Sequence, residues 1–222
     1  NSAFMLAPDG QIAGHYDKVH LVPFGEYVPL KWLLSFVGKM VAQVGDFSAG
    51  EKGRILAWGD DAPPVGVQIC FEIIFPGLSR SQVNNGAGLL VNLTNDAWFG
   101  KSAAAYQHFA MTVFRAVENR RALVRSANTG ISGFVDPTGR VAARTALFED
   151  VVLARAVPVM TAITAYTRFG DLSALVCLMV MAVLVGRPIF HRWRGGMGER
   201  PKMVVDWIKQ KISPGADRGE NR

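Results

Sequence analysis

The sequence predicts an α/β fold with a mixed β-sheet. Short apolar runs rich in β-branched residues alternate with amphipathic helical segments, and turns containing Gly and Pro join neighbouring strands as hairpins. The chain has 222 residues, half of them hydrophobic, so it can form one or two domains with a full core. Its mean hydropathy of +0.18 is high for a soluble protein, which indicates that part of the chain leaves water.

The first part of the chain is predicted to contain a hairpin, a loop held by prolines and two further strands. Residues 1–7 and 11–16 have the composition of strands and flank the turn sequence Pro8-Asp9-Gly10. Because the chain opens in mid-sheet, with no initiator Met and no signal peptide, it is expected to be a fragment that lacks its N-terminal part. The other predictions for this part are an amphipathic segment at 32–38, a loop at 41–52 and strands at 54–58 and 65–69.

The next part alternates helices and strands. The most regular helical spacing runs from residue 102 to residue 121, where Phe109, Val113 and Val117 lie on one face and Ser102 can serve as N-cap. The remaining predicted elements are a helix at 78–85, strands at 89–93 and 123–127, a polar-aromatic loop at 94–100, a hairpin at 134–141 and a last strand at 151–157.

Cys70 is the candidate nucleophile. It follows the predicted buried strand 65–69 directly, and α/β proteins place their chemistry at the carboxyl ends of such strands. Glu72 and the apolar residues 73–75 follow, so the thiol would have a carboxylate and dry walls nearby. Taken alone, a Cys after an apolar strand is more often a small buried hydrophobic residue, so the assignment needs support from the rest of the chain.

Lys18 is the candidate partner of that thiol. Two prolines and a glycine in residues 16–29 exclude a long helix and place Lys18, His20 and Glu26 on a loop. An isolated lysine is usually a surface residue. An aromatic residue before it and a Pro-braced apolar segment after it would instead hold its amine in place, where it could donate to a developing oxyanion.

The composition changes after Pro158. Residues 172–186 carry no charge, and with Pro188, Ile189 and Phe190 they approach the length of a bilayer span. This predicts a short transmembrane helix at 172–190 that depends on snorkelling by Arg168 and Arg187, with Cys177 as inert packing. A buried core helix is the alternative.

The basic residues are concentrated in the C-terminal tail, although the net charge of the chain is only +6. By the positive-inside rule, the tail lies in the cytoplasm and the α/β domain outside. An anionic membrane surface suits this charge better than nucleic acid, and residues 203–212 around Trp207 could form an interfacial helix. The chain therefore divides into a catalytic domain (1–158), a connector (159–171), a transmembrane helix (172–190) and a basic cytoplasmic tail (191–222).

Three segments together resemble one family. They are residues 16–27 (Y-D-K-V-H-L-V-P-F-G-E-Y), 69–73 (I-C-F-E-I) and 92–100 (N-L-T-N-D-A-W-F-G). They are similar to the nitrilase-like domain of the apolipoprotein N-acyltransferases, within the carbon-nitrogen hydrolase superfamily. The resemblance implies a four-layer α-β-β-α sandwich on the periplasmic side of the bacterial inner membrane, with no cofactor and no metal. The implied reaction moves an acyl chain from a phospholipid to the N-terminal amine of a diacylglyceryl-cysteine lipoprotein.

The resemblance also implies roles for individual residues. Cys70 matches the nucleophile that carries the acyl group as a thioester, and Lys18 matches the lysine that stabilises the oxyanion, with the backbone N–H of Phe71 as second donor. Glu26 and Glu72 match carboxylates that support the site. Phe71 stands where a tyrosine is often found. The residues expected to line the entrance are Asn95, Trp98 and Phe99.

The family's general base, a glutamate far upstream of the lysine, has no match here. Residues 1–17 contain only Asp9 and Asp17 as acids. This chain alone is therefore expected to be inactive. Two alternatives stay open: a soluble nitrilase-type amidase that uses water as acyl acceptor, and a catalytically incomplete remnant tethered to the membrane.

Overall fold

The computed structural model describes residues 1–27, 47–57, 59 and 63–196. It divides the chain into two compact units, Asn1–Gly170 and Asp171–Arg222. The first unit contains all the strands that the structure describes, in a small antiparallel sheet and a larger mixed one. The predicted α/β fold with a mixed sheet is confirmed.

The small sheet is the predicted hairpin. Strands β1 (Ser2–Leu6) and β2 (Ile12–Asp17) pair antiparallel, with an irregularity between Met5 and Leu6. Gly10 adopts a φ of +83° in the turn between them, a conformation that glycine reaches without steric cost.

The large sheet has five strands in the order β3-β4-β5-β6-β7. The first three strands are parallel and the last two are antiparallel additions. Helices α1 (Pro76–Asn84) and α2 (Ala103–Asn119) make the crossovers between the parallel strands, and Ser102 caps α2 as predicted by accepting from the N–H of Ala104. The strands are β3 (Val65–Ile69), β4 (Leu89–Asn95), β5 (Ala122–Asn128), β6 (Gly133–Val135) and β7 (Val141–Arg144).

The two faces of the large sheet form two separate cores. On one face Leu90 and Leu123 pack against Val83 of α1 and Phe109 of α2. On the other face the sheet packs against the hairpin through residues that include Ala3, Tyr16, Val65, Val67 and Leu89. Helices, large sheet and hairpin account for three layers of the predicted four-layer sandwich, and the described residues include no second helical layer.

Two predicted strands are wrong. In segment 54–58, the described residues contribute only an isolated bridge between Leu56 and Val65. Residues 151–157 join no ladder among the described strands, and Val152 is 92% exposed. Their β-branched composition favours a strand, but a strand also needs a partner with free backbone groups. The predicted segments 32–38 and 203–212 lie outside the described residues.

The second unit contains helix α4 (Leu172–Gly196), after the short helix α3 (Ala165–Phe169) that ends the first unit. Of the helices described, none is long and apolar enough to cross a membrane, so the transmembrane helix predicted at 172–190 is not supported. The uncharged part ends at Gly186, and Arg187 and Pro188 follow within the helix. About 15 uncharged residues span roughly 22 Å, less than the ~30 Å of a hydrocarbon core. Cys177 is exposed. The tail orientation stays a prediction, because residues 197–222 lie outside the described residues.

A buried ion pair joins the middle of β5 to the residue that follows β4. The guanidinium of Arg125 lies 2.6 Å from the Asp96 carboxylate, and both side chains are almost fully buried. Asp96 also contacts His108 of α2 at 3.0 Å and accepts from the Thr94 hydroxyl at 2.8 Å. Burial alone would raise the pKa of Asp96, but these hydrogen bonds and the charge of Arg125 outweigh it and hold that pKa below its ordinary value.

Replacing Asp96 by Asn should destabilise the fold in a pH-dependent way. A carboxyl whose folded pKa is depressed contributes stability above its unfolded pKa of about 3.9, and this contribution is lost as the pH falls through the folded pKa. Removing one partner of a buried pair costs about 3–5 kcal/mol. We therefore expect Asp96→Asn to lower the free energy of unfolding by about this amount at neutral pH, with the difference from wild type shrinking below about pH 4.

Urea denaturation of both proteins from pH 7 to pH 3 measures this difference. Asp9→Asn, in the exposed turn between β1 and β2, is the control and should change the unfolding free energy little. A difference between wild type and Asp96→Asn that stays constant down to pH 3 would contradict the assignment.

Candidate active site

Cys70 lies at a sharp turn between strand and helix. Strand β3 ends at Ile69, and Cys70 begins the 3₁₀ turn Cys70–Ile74 with a φ of +53°. A non-glycine residue seldom adopts this left-handed conformation, and such residues cluster at functional sites. The turn leaves the Cys70 side chain partly exposed at the carboxyl end of a parallel strand.

Glu72 joins this turn to the loop that follows β2. Its carboxylate is fully buried and accepts hydrogen bonds from the N–H of Ile69 at 2.7 Å, from the Tyr16 hydroxyl at 3.0 Å and from the N–H groups of Val19 and His20 at 2.7 and 3.0 Å. Burial first, then the charge of Glu72, raises the pKa of Tyr16 far above its ordinary value, so the phenol remains a donor. Glu72 therefore connects the end of β3, just before Cys70, to the loop that follows β2 through the backbone N–H groups of both segments.

Lys18 lies in that loop and is buried despite its charge. Its side chain is 2% exposed, and its ammonium donates to Glu26 at 2.7 Å. The other Glu26 oxygen accepts from the N–H of Val22 at 2.8 Å, so the carboxylate is itself fixed. Gly50 packs directly against the backbone just before Lys18. A Cβ at this position would lie 2.2 Å from the carbonyl oxygen of Asp17 and would clash with it. The amine of Lys18 is therefore held by Glu26, a residue of the same loop.

Cys70 and Lys18 line the same cavity, which has a volume of about 390 Å³. The Phe71 ring lies beside them and meets Phe75 edge-on at 5.5 Å. Trp98 is 89% exposed and forms the rim of the cavity. The complete lining among the described residues is Lys18, Val22, Gly25, Glu26, Cys70, Phe71, Trp98 and Phe99. The arrangement combines one thiol and one ammonium with mostly apolar walls, which suits acyl chemistry on an apolar group.

Two polar residues behind Cys70 were missed by the sequence reasoning. The side-chain amide of Asn92 donates to the carbonyl oxygens of Gln68 and Cys70 at 3.1 and 3.3 Å, and its own oxygen accepts from Arg125. The two polar residues, Asn92 and Arg125, are register partners on β4 and β5. The available signal was a polar side chain within each of two apolar strands, Asn92 in β4 and Arg125 in β5, because a buried polar group needs a partner.

Asn95 was expected at the entrance, and the structure places its side chain in the turn that follows β4. It ends β4, and its side chain accepts from the N–H of Ala97 at 3.1 Å, so it shapes the turn that carries Trp98 and Phe99. It is not among the described residues that line the cavity.

The acids before Lys18 do not reach the cavity lining either. Asp9 accepts from the N–H of Gln11 in the exposed hairpin turn. The Asp17 carboxylate accepts a hydrogen bond from the Ser2 hydroxyl and lies 3.4 Å from the imidazole of His15. Neither carboxylate is among the described residues that line the cavity.

The family model for carbon-nitrogen hydrolases matches residues 1–166. Among curated proteins, the chain is 52% identical over 184 residues to an apolipoprotein N-acyltransferase of Geobacter metallireducens and 42% identical over 189 residues to one of Rhodopseudomonas palustris. Each match covers 83% of this chain, but the chain spans only 35% of either relative's length.

Solved structures support the fold. Nit3 of Saccharomyces cerevisiae, a member of branch 10 of the nitrilase superfamily, matches with a TM-score of 0.50 at 21% identity, over 68% of this chain and 50% of that one. A carbon-nitrogen hydrolase of Helicobacter pylori matches with a TM-score of 0.51 at 18% identity, over 65% and 52%. With the family model covering residues 1–166, the chain belongs to the carbon-nitrogen hydrolase family.

Proposed function

We propose that this chain is the catalytic part of an apolipoprotein N-acyltransferase. Such an enzyme would transfer an acyl chain from a phospholipid to the N-terminal amine of a diacylglyceryl-cysteine lipoprotein. The observation that carries the proposal is the single cavity that Cys70 and Lys18 line together with apolar side chains. The 52% identity to a relative of that name supports this acyl transfer over other reactions of the family.

The reaction would proceed in two steps through Cys70. The thiolate attacks the ester carbonyl of the phospholipid, and the tetrahedral intermediate collapses to a thioester while the lysophospholipid leaves as an alcohol after it takes up a proton. The amine of the lipoprotein then attacks the thioester, forms the amide and returns the thiol. Both steps pass through an oxyanion.

Lys18 and the backbone N–H of Phe71 are the proposed donors to that oxyanion. The Lys18 ammonium is buried, held by Glu26 and turned to the cavity, so little reorganisation is needed when charge develops. Water is a poor substitute in a cavity walled by Phe71, Trp98 and Phe99. Removal of one such donor typically slows a reaction about 10²- to 10³-fold.

The proposed location is the bacterial inner membrane, with the catalytic domain on the periplasmic side as the resemblance implies. Helix α4 supports contact with lipid, since its large apolar side chains are exposed, with Leu178 65% and Leu184 62% accessible. Trp98 at the cavity rim is the kind of side chain that lies at a membrane surface, apolar at one end and polar at the other.

Cys70→Ser should abolish acyl transfer by the full-length protein, because a hydroxyl is a poor nucleophile in a site arranged for a thiolate. Cys177→Ser is the matched control, and it should retain activity because Cys177 lies exposed on α4. Transfer of a radiolabelled acyl chain from phospholipid to a lipoprotein measures the effect. Near-wild-type transfer by Cys70→Ser would remove Cys70 from the mechanism, and release of free fatty acid without transfer by the wild type would indicate a hydrolase.

Lys18→Met should slow formation of the thioester about 10²- to 10³-fold while leaving phospholipid binding largely intact. The reason is that the ammonium acts on the charge of the transition state and not on the neutral acyl chain. Trapping the acyl-enzyme from a labelled phospholipid gives the rate. Lys101→Met removes an exposed lysine whose ammonium lies over the ring of Phe148, and this control should acylate normally. Equal rates for Lys18→Met and wild type would contradict the role of Lys18.

A further inference from the structure

We propose that Asn92, oriented by Arg125, is a positioning residue that fixes the peptide between Cys70 and Phe71 so that the Phe71 N–H faces the cavity. The inference rests on the proposed acyl chemistry at Cys70 and concerns how its second oxyanion donor is set in place. It assigns a function to the two polar residues behind the nucleophile.

The peptide group between Cys70 and Phe71 is planar. The structure contains no cis peptide bond among the described residues, so the carbonyl of Cys70 and the N–H of Phe71 point in opposite directions. Asn92 donates to the Cys70 carbonyl at 3.3 Å from a fully buried position, whereas Cys70 and Phe71 line the cavity. A carbonyl directed at Asn92 therefore aims the Phe71 N–H to the opposite side, where the oxyanion forms.

This peptide needs to be held. Cys70 has a φ of +53°, a conformation that persists only where surrounding contacts enforce it. Rotation of the Cys70–Phe71 peptide, through ψ of Cys70 and φ of Phe71, would turn its carbonyl oxygen toward the place where the oxyanion forms. The second bond of Asn92, to the Gln68 carbonyl at 3.1 Å, ties the amide to the end of β3 as well.

Arg125 decides which way the Asn92 amide points. A guanidinium has donors only, so the Asn92 atom that faces it must be the oxygen, and the NH₂ group must then face the two carbonyls. Arg125 is fixed in turn by Asp96 at 2.6 Å and by the Ile131 carbonyl at 3.1 Å. Without this guanidinium the side-chain amide of Asn92 could rotate by half a turn and place its oxygen against the carbonyl oxygen of Cys70. The two oxygens would then repel each other.

Asn92→Asp separates this role from simple packing. The carboxylate has nearly the shape of the amide and keeps a partner in Arg125, but it has no N–H to give to the Cys70 carbonyl. Two reactions of Cys70 are measured in the full-length protein. Acylation by p-nitrophenyl butyrate, followed by the burst of nitrophenolate, passes through an oxyanion; alkylation by iodoacetamide is a direct displacement at carbon and does not.

We expect Asn92→Asp to lower the acylation rate about 10²- to 10³-fold at equal thiolate fraction, with alkylation nearly unchanged. The pH profile of alkylation supplies the thiolate fraction for each protein. Asn119→Asp is the matched control, because Asn119 is also fully buried and also donates to a backbone carbonyl, that of Arg115 at 3.0 Å, but lies at the end of α2 away from the cavity lining. It should leave the ratio of the two rates unchanged.

Arg125→Lys is the second variant. It keeps a positive charge near Asp96 but loses the planar guanidinium, whose separate N–H groups donate to Asn92 and to Asp96. It should also slow acylation more than alkylation. The inference is overturned if both rates fall together in the variants that fold, or if acylation is unchanged. Failure of the wild-type protein to form a thioester at Cys70 would instead overturn the proposed function, so the two failures are distinguishable.

Discussion

The carboxylate of Glu72 is the contact on which the site depends. Cys70 and Lys18 come from segments about fifty residues apart, and the hairpin that precedes Lys18 forms its own sheet. Glu72 accepts from Ile69, just before Cys70, and from Val19 and His20, just after Lys18, so a single buried anion holds both segments. A buried anion without these donors would cost several kcal/mol, which makes their geometry strongly determined.

The opposite side of Cys70 depends on a buried cation, the guanidinium of Arg125. Arg125 contacts Asn92 beneath the Cys70 turn and Asp96 at the base of the turn that carries Trp98 and Phe99. The thiol and the aromatic wall of the cavity are thus held by one guanidinium. Burial lowers the pKa of Arg125, and the Asp96 carboxylate opposes this effect, so the pair is kept charged by mutual contact in a place that water hardly reaches.

The hydrogen bonds that the structure describes for the side chains of Glu72 and Arg125 go to groups other than the candidate reacting side chains of Cys70 and Lys18. Glu72 and Arg125 make their contacts with backbone, amide and carboxylate groups behind the cavity, while Cys70 and the Lys18 ammonium face it. Catalytic groups that are held by supporting residues need little reorganisation during reaction. Apolar walls suit a lipid acyl chain, and the same division between supporting and reacting groups would serve a C–N hydrolase equally well, which is consistent with one fold carrying both chemistries.

The sequence by itself determined the hairpin, the alternation of parallel strands and helices, and the candidate pair Cys70 and Lys18. These follow from local patterns: hydrophobic periodicity, turn residues, and a thiol directly after a buried strand. The motif blocks also identified the family. The segment 151–157 shows the limit of such patterns, because its β-branched composition favours a strand whichever partner is present.

Only the tertiary structure decided how the candidate residues meet. Nothing in the sequence pairs Glu72 with the N–H groups of Val19 and His20, or Asn92 with Arg125, because these contacts depend on which strands are neighbours and in what register. The tertiary structure also separated Asn95, which shapes a turn, from Trp98 three residues later, which lines the cavity. Local propensity specifies elements, whereas the partner of a buried polar group is specified by the packing of elements distant in the chain.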